Sequence, residues 1–62
     1  MTMSTDERIL GALRGGAEYP AALGRMLRLD ARQVVSALVR LREGGLVELT
    51  GDGRYKRRED SQ

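Results

Sequence analysis

The 62-residue sequence predicts a mainly helical fold in which three helices are closed by a small two-stranded hairpin. Three observations carry that expectation. Two amphipathic stretches open on capping pairs, Ser4 with Glu7 and Asp30 with Gln33, and a third opens on Pro20. The last amphipathic stretch runs into Gly44-Gly45. Beyond it, Leu46-Val47-Glu48-Leu49 and the basic segment Arg54-Tyr55-Lys56-Arg57 flank Gly51-Asp52-Gly53, a composition that favours a tight turn.

The elements follow in order. Met1 to Thr5 reads as a loose start. Asp6 and Glu7 sit where the positive end of a helix dipole favours acids, so the first helix begins there and runs to about Arg14, burying Ile9, Leu10 and Leu13. Gly15-Gly16 ends it, and Ala17-Glu18-Tyr19 is a connector. Pro20 fits a first helical turn because its missing N–H is not needed there. The second helix spans roughly Pro20 to Leu27, with Leu23, Met26 and Leu27 on one side. Gly24 costs this helix about 1 kcal/mol relative to alanine, which predicts a close crossing by the third helix. That third helix starts at Ala31, buries Val34, Leu38 and Leu41 on one face, and ends at Gly44-Gly45. Strands are expected over Leu46 to Thr50 and Arg54 to about Arg58, and Arg58 to Gln62 should fray.

Composition bounds the function. A chain this short makes a single domain, 1–62, with an ordered core over about 5–58, and it buries only about 60% of its unfolded surface. Its aliphatic residues fill one core and leave little for a deep ligand cavity, so a homodimer would be an economical way to bury more. Cysteine and histidine are absent, which removes disulfides, thiolate or imidazole metal sites and His-based catalysis. No apolar run is long enough for a membrane span, and the chain is expected to be cytoplasmic. Net charge is +2 but unevenly spread: residues 1–24 sum to −1, residues 25–58 to +5, and Glu59 with Asp60 to −2. A positive field confined to the second half is the asymmetry of a polyanion-binding face, although a solvated arginine-rich surface has the same composition.

Two helices joined by the short Arg28-Leu29-Asp30 turn, followed by a hairpin, make a three-helix winged helix-turn-helix. With Val34, Leu38 and Leu41 inward, the outward face of the third helix is Arg32, Gln33, Ser36, Arg40 and Glu43. Arg suits guanine O6 and N7, Gln suits adenine and Ser suits either, so Arg32, Gln33, Ser36 and Arg40 are the candidate base readers. Gln33 has a competing task as the cap partner of Asp30. Val35 and Val39 border the core stripe and fit helix packing or dimer contacts better than thymine methyl groups.

The run Leu29 to Val47, with apolar anchors Val34, Leu38 and Leu41 and the junction Gly45-Leu46-Val47, resembles the ArsR/MarR-type winged-helix pattern over about residues 6–58. That resemblance implies a recognition helix over about 31–43 in the major groove and wing contacts from Arg54, Lys56 and Arg57 to phosphates. Three features depart from the family. Metal-sensing members use cysteine or histidine ligands, ligand-sensing members add long dimerisation helices, and Arg28 stands where the turn often carries glycine. The Leu46-to-Arg57 ending is also similar to the terminal winged-helix domain of DNA-processing protein A.

The expected function is sequence-specific binding of double-stranded DNA in transcriptional regulation. The alternative is a winged helix used as a protein-interaction or assembly module in DNA-processing or transcription machinery. Leu10 and Val39 are the candidate contacts of a homodimer. No catalytic residue, metal, cofactor or small-molecule ligand is expected. The acids sit at a helix start and a tail, and Lys56 is the only lysine, with no glycine-rich phosphate loop before it.

Overall fold

The computed structural model describes residues 2–58; Met1 and residues 59–62 lie outside them, so of the expected C-terminal fraying only Arg58 is described, and its N–H is held by the Leu46 carbonyl. Three helices, α1 (Thr5–Ala12), α2 (Pro20–Leu27) and α3 (Ala31–Glu43), precede a hairpin of β1 (Val47–Leu49) and β2 (Tyr55–Arg57). Among the described residues, no helix is long and apolar enough to cross a membrane.

Local chemistry sets the helix boundaries. Ser4 Oγ accepts from the Glu7 N–H at 3.1 Å while Glu7 Oε1 accepts from the Ser4 N–H at 2.9 Å, closing the first capping box. Asp30 and Gln33 repeat the arrangement at the start of α3, at 2.8 and 3.0 Å. The first helix is shorter than the spacing predicts. It ends at Ala12 and tightens into a 3-10 turn over Leu13–Gly15, after which Gly16 takes φ 134°, a backbone angle open to glycine. The tightened turn still delivers Leu13 to the core.

Between α2 and α3 the chain reverses at Arg28, whose φ of 58° makes it the single non-glycine residue with a left-handed backbone among those described. The Leu29 N–H then reaches back to the Gly24 carbonyl at 2.9 Å, the long hydrogen bond of a Schellman-type helix end. Gly24 makes this approach easy. A Cβ on it would stand 3.0 Å from the Leu29 carbonyl oxygen and 3.7 Å from Val34 Cγ2. The close approach expected at Gly24 is therefore made first by the turn's own backbone and second by α3.

The core is Ile9, Leu13, Leu23, Val34, Ala37, Leu38, Leu41 and Val47, and among the described residues no polar side chain is buried with them. Leu10, Ala12, Leu27, Leu29 and Tyr55 pack around this cluster. Met26 does not join Leu23 and Leu27 as expected; it is 52% exposed. An eight-residue helix presents a narrow inward stripe, and Met26 falls outside it. Leu10 is half-buried instead of fully enclosed.

The hairpin pairs Val47 with Arg57, Glu48 with Lys56 and Leu49 with Tyr55. Its strands are shorter than the sequence predicts, but hydrogen bonds from the Thr50 N–H to the Arg54 carbonyl (2.7 Å) and from the Arg58 N–H to the Leu46 carbonyl (2.9 Å) extend the pairing at both ends. The connector before α2 is also more than a connector. Glu18 donates to the Tyr55 carbonyl at 3.0 Å and accepts from the Tyr55 N–H at 2.8 Å, adding a one-residue bridge to the free edge of β2.

Candidate nucleic-acid interface

The outward face of α3 is set by its core stripe. With Val34, Ala37, Leu38 and Leu41 buried, the 3.6-residue period turns Arg32, Ser36, Val39 and Glu43 directly away from the core. Arg32, Gln33, Ser36 and Arg40 line one shallow groove of about 320 Å³, shared with Thr5 and Asp30. All four candidate readers are thus brought together on one exposed surface. Their chemical freedom differs.

Arg32 and Ser36 are exposed and make no side-chain hydrogen bond or ion pair among the described residues. Gln33 is occupied by the Asp30 cap, and its Oε1 is the atom used. Arg40 is clamped onto α1 in bidentate fashion, Nη2 to Asp6 Oδ1 at 2.7 Å and Nε to Asp6 Oδ2 at 3.3 Å. Hydrogen bonding by that guanidinium holds the Asp6 carboxyl below its ordinary range, and the carboxylate in turn raises Arg40. Because both groups are solvated, the pair stabilises the fold little. Its main effect is positional: Asp6 takes the Nε–Nη2 edge of Arg40, so a bidentate contact through that edge must displace it.

The hairpin cations divide into two settings. Arg54, at the turn, is held by Asp52: Nε to Oδ2 is 2.9 Å and Nη2 to Oδ2 is 2.8 Å. Thr50 completes the turn, its hydroxyl donating to Asp52 Oδ1 and accepting from the Arg54 N–H at 3.1 Å. The Thr50 hydroxyl first and Arg54 second pull the Asp52 carboxyl down to about 2. The Arg54 guanidinium then lies 5.8 Å over the Tyr19 ring, which links the hairpin turn to the start of α2.

Lys56 and Arg57 sit elsewhere. Lys56 faces Glu48 across the hairpin at 3.7 Å, and Arg57 Nη1 donates to the Leu10 carbonyl of α1 at 3.3 Å. Both line a separate groove with Arg14 and Arg58 that shares no residue with the α3 groove. The seven sequence-predicted contacts are therefore divided: four line the α3 groove, two the groove at the hairpin base, and Arg54 lies at the turn. Arg32 and Ser36 are unengaged among the described residues, Gln33 is held by the Asp30 cap, and Arg40 and Arg54 are paired with acids.

Three participants escaped sequence reasoning. Arg8 donates to the Leu27 carbonyl at 2.6 Å and so satisfies the C-terminal end of α2. Tyr19 supplies the platform for Arg54, and Glu18 fixes the edge of β2. Their sequence signals are one-residue features with no period, and only the tertiary arrangement gives them a role. No protein-family model, curated protein or solved structure matches the chain.

Proposed function

We propose that the protein is a winged helix-turn-helix that binds double-stranded DNA in transcriptional control, with α3 in the major groove and the hairpin as the wing. One observation carries this reading. Arg32 lies in the first turn of a helix that is capped, anchored by four buried residues and fully exposed on its outward side, and no acid engages it among the described residues. A planar donor fork at the leading end of such a helix suits the N7 and O6 acceptors of guanine. Arg54, beside the start of α2, is the hairpin's candidate for a phosphate contact, made by exchanging its Asp52 partner for the phosphate.

A second reading has its own support. Val35 and Val39 are 52% and 46% exposed on α3, and an apolar groove of about 310 Å³ between α2 and α3 is lined by Pro20, Ala21, Leu29, Val34 and Val35. Exposed apolar surface beside the expected reading face is what a protein-assembly module or a homodimer contact would use.

The two readings separate in one titration. Labelled genomic DNA fragments are mixed with the protein at two salt concentrations and followed by anisotropy. For DNA binding through about four phosphates, log K falls against log salt with a slope near −4. Arg32→Ala should cost about 1–3 kcal/mol on the selected site and much less on random duplex. Replacing Arg54 and Lys56 together should weaken both duplexes alike and flatten the slope by no more than about two, since Asp52 and Glu48 already screen those cations. If no duplex binds at low salt, the assembly reading takes its place.

A further inference from the structure

The groove at the base of the hairpin combines charge and apolar surface in a way the α3 face does not. It opens to about 720 Å³ between the end of α1 and the hairpin, with Arg14, Lys56, Arg57 and Arg58 around it and Leu10, Leu13 and Leu46 forming its apolar part. Leu46 is 51% exposed within this basic ring. The cations are weakly neutralised. Arg14, Arg57 and Arg58 make no ion pair among the described residues, and Lys56 meets Glu48 only at 3.7 Å.

We propose that this groove is a docking site for an acidic, amphipathic peptide segment of a protein partner. Charge complementarity selects an anionic occupant, because four like charges around one opening repel until an anion lies between them. The exposed leucine narrows the class further. A duplex presents phosphates along its backbone and keeps its thymine methyl groups inside the major groove, away from them, whereas a segment alternating Asp or Glu with Leu sets an apolar side chain beside each charge. Arg57 strengthens the distinction: it bends inward to the Leu10 carbonyl and becomes part of the groove wall instead of projecting toward a backbone. The site shares no lining residue with the α3 groove, so α3 can meet DNA while the peptide is bound; Lys56 and Arg57, counted among the wing contacts, are then committed to the peptide.

The test uses the full chain and two labelled twelve-residue peptides, one alternating Glu with Leu and one with every Leu changed to Ser. Anisotropy at low salt should show the Glu-Leu peptide binding at least about tenfold more tightly than the Glu-Ser peptide. Amide shifts in a 15N spectrum should cluster at Leu13, Gly16, Ala17, Leu46 and Arg58, not along α3. Arg14→Glu with Arg58→Glu should weaken the peptide by at least about tenfold and leave circular dichroism unchanged, as both side chains are exposed. Leu46→Ser should erase the preference for the Glu-Leu peptide while keeping the weaker electrostatic binding. Equal binding of the two peptides, no binding at millimolar peptide, or shifts confined to α3 would each overturn the proposal. So would displacement of the bound peptide by a short random duplex, which would assign the groove to nucleic acid.

Discussion

Helix α3 and the hairpin carry the two halves of the expected contact surface, and they are held in place by different physics. Four side chains of α3 are buried and both its ends are chemically closed, so its orientation follows from apolar packing that salt barely touches. The hairpin buries Val47 alone and is otherwise held by its ladder, the Glu18 bridge and three polar groups at its turn. One region is positioned by burial and leaves Arg32 unpaired among the described residues, although Arg40 meets Asp6. The other relies on polar contacts and spends Arg54 on its own turn. Proximity of basic residues in sequence therefore does not equal availability for a ligand.

The largest expected effect breaks the comparison at its centre. Leu38→Ala removes a fully buried side chain and should cost about 2–5 kcal/mol, enough to unfold much of a domain this small at 37 °C. A denaturant melt followed by circular dichroism measures it; a loss below about 1 kcal/mol would mean that α3 is not anchored by this stripe. Asp30→Ala comes next. It opens the capping box of α3 and should cost about 1 kcal/mol in the same melt. Ser36→Ala, on the outward face, supplies the control that should not destabilise and should raise stability by about half a kcal/mol at most.

Arg28→Gly reverses the sign. Arg28 holds a left-handed backbone that glycine adopts without steric penalty, so the substitution should stabilise the protein by about 1 kcal/mol and raise Tm by several degrees. A fall in Tm would show that the arginine side chain contributes more than its backbone costs.

The smallest effect is confined to the hairpin. The Asp52 carboxyl titrates at about 2 in the folded protein against an ordinary 3.8, so its contribution is complete above pH 4 and is lost as pH falls through about 2. Amide exchange at Gly53 to Tyr55 should therefore quicken over that acid window while the α3 amides stay protected. Asp52→Asn should bring the same local opening to neutral pH. Equal acceleration in α3 would mean that the two regions are not separately held.

The helices were legible because their signals are local and repeated. Capping pairs bracket α1 and α3, Pro20 opens α2, and Val34, Leu38 and Leu41 recur at helical spacing. Met26 was misjudged because spacing gives a direction on a helix and says nothing of how wide a face its neighbours cover. The ends of the hairpin were blurred because ladder hydrogen bonds at Leu46 and Thr50 outlast the regular strand. At the candidate site, residue types were readable and their engagements were not. Nothing near Arg40 in sequence announces Asp6, which arrives from α1, and nothing near Arg57 announces the Leu10 carbonyl. Charge is written along the chain; neutralisation is written across it.

The bridge between Glu18 and Tyr55 has a consequence for how the molecule comes together. It joins a residue ahead of α2 to the last strand, so it closes a loop that contains α2, α3 and the hairpin turn. Closing a long loop costs entropy that local contacts do not repay, and the repayment comes only when both backbone hydrogen bonds and the Tyr55 ring dock at once. Synthesis from the N-terminus withholds this fastening until Tyr55 has been made. Until β2 has emerged, the three helices lack the latch that ties the start of α2 to the rest, and a nascent chain stopped before Tyr55 would remain an incompletely assembled bundle. The fold is thus sealed only after both partners of a distant pair exist.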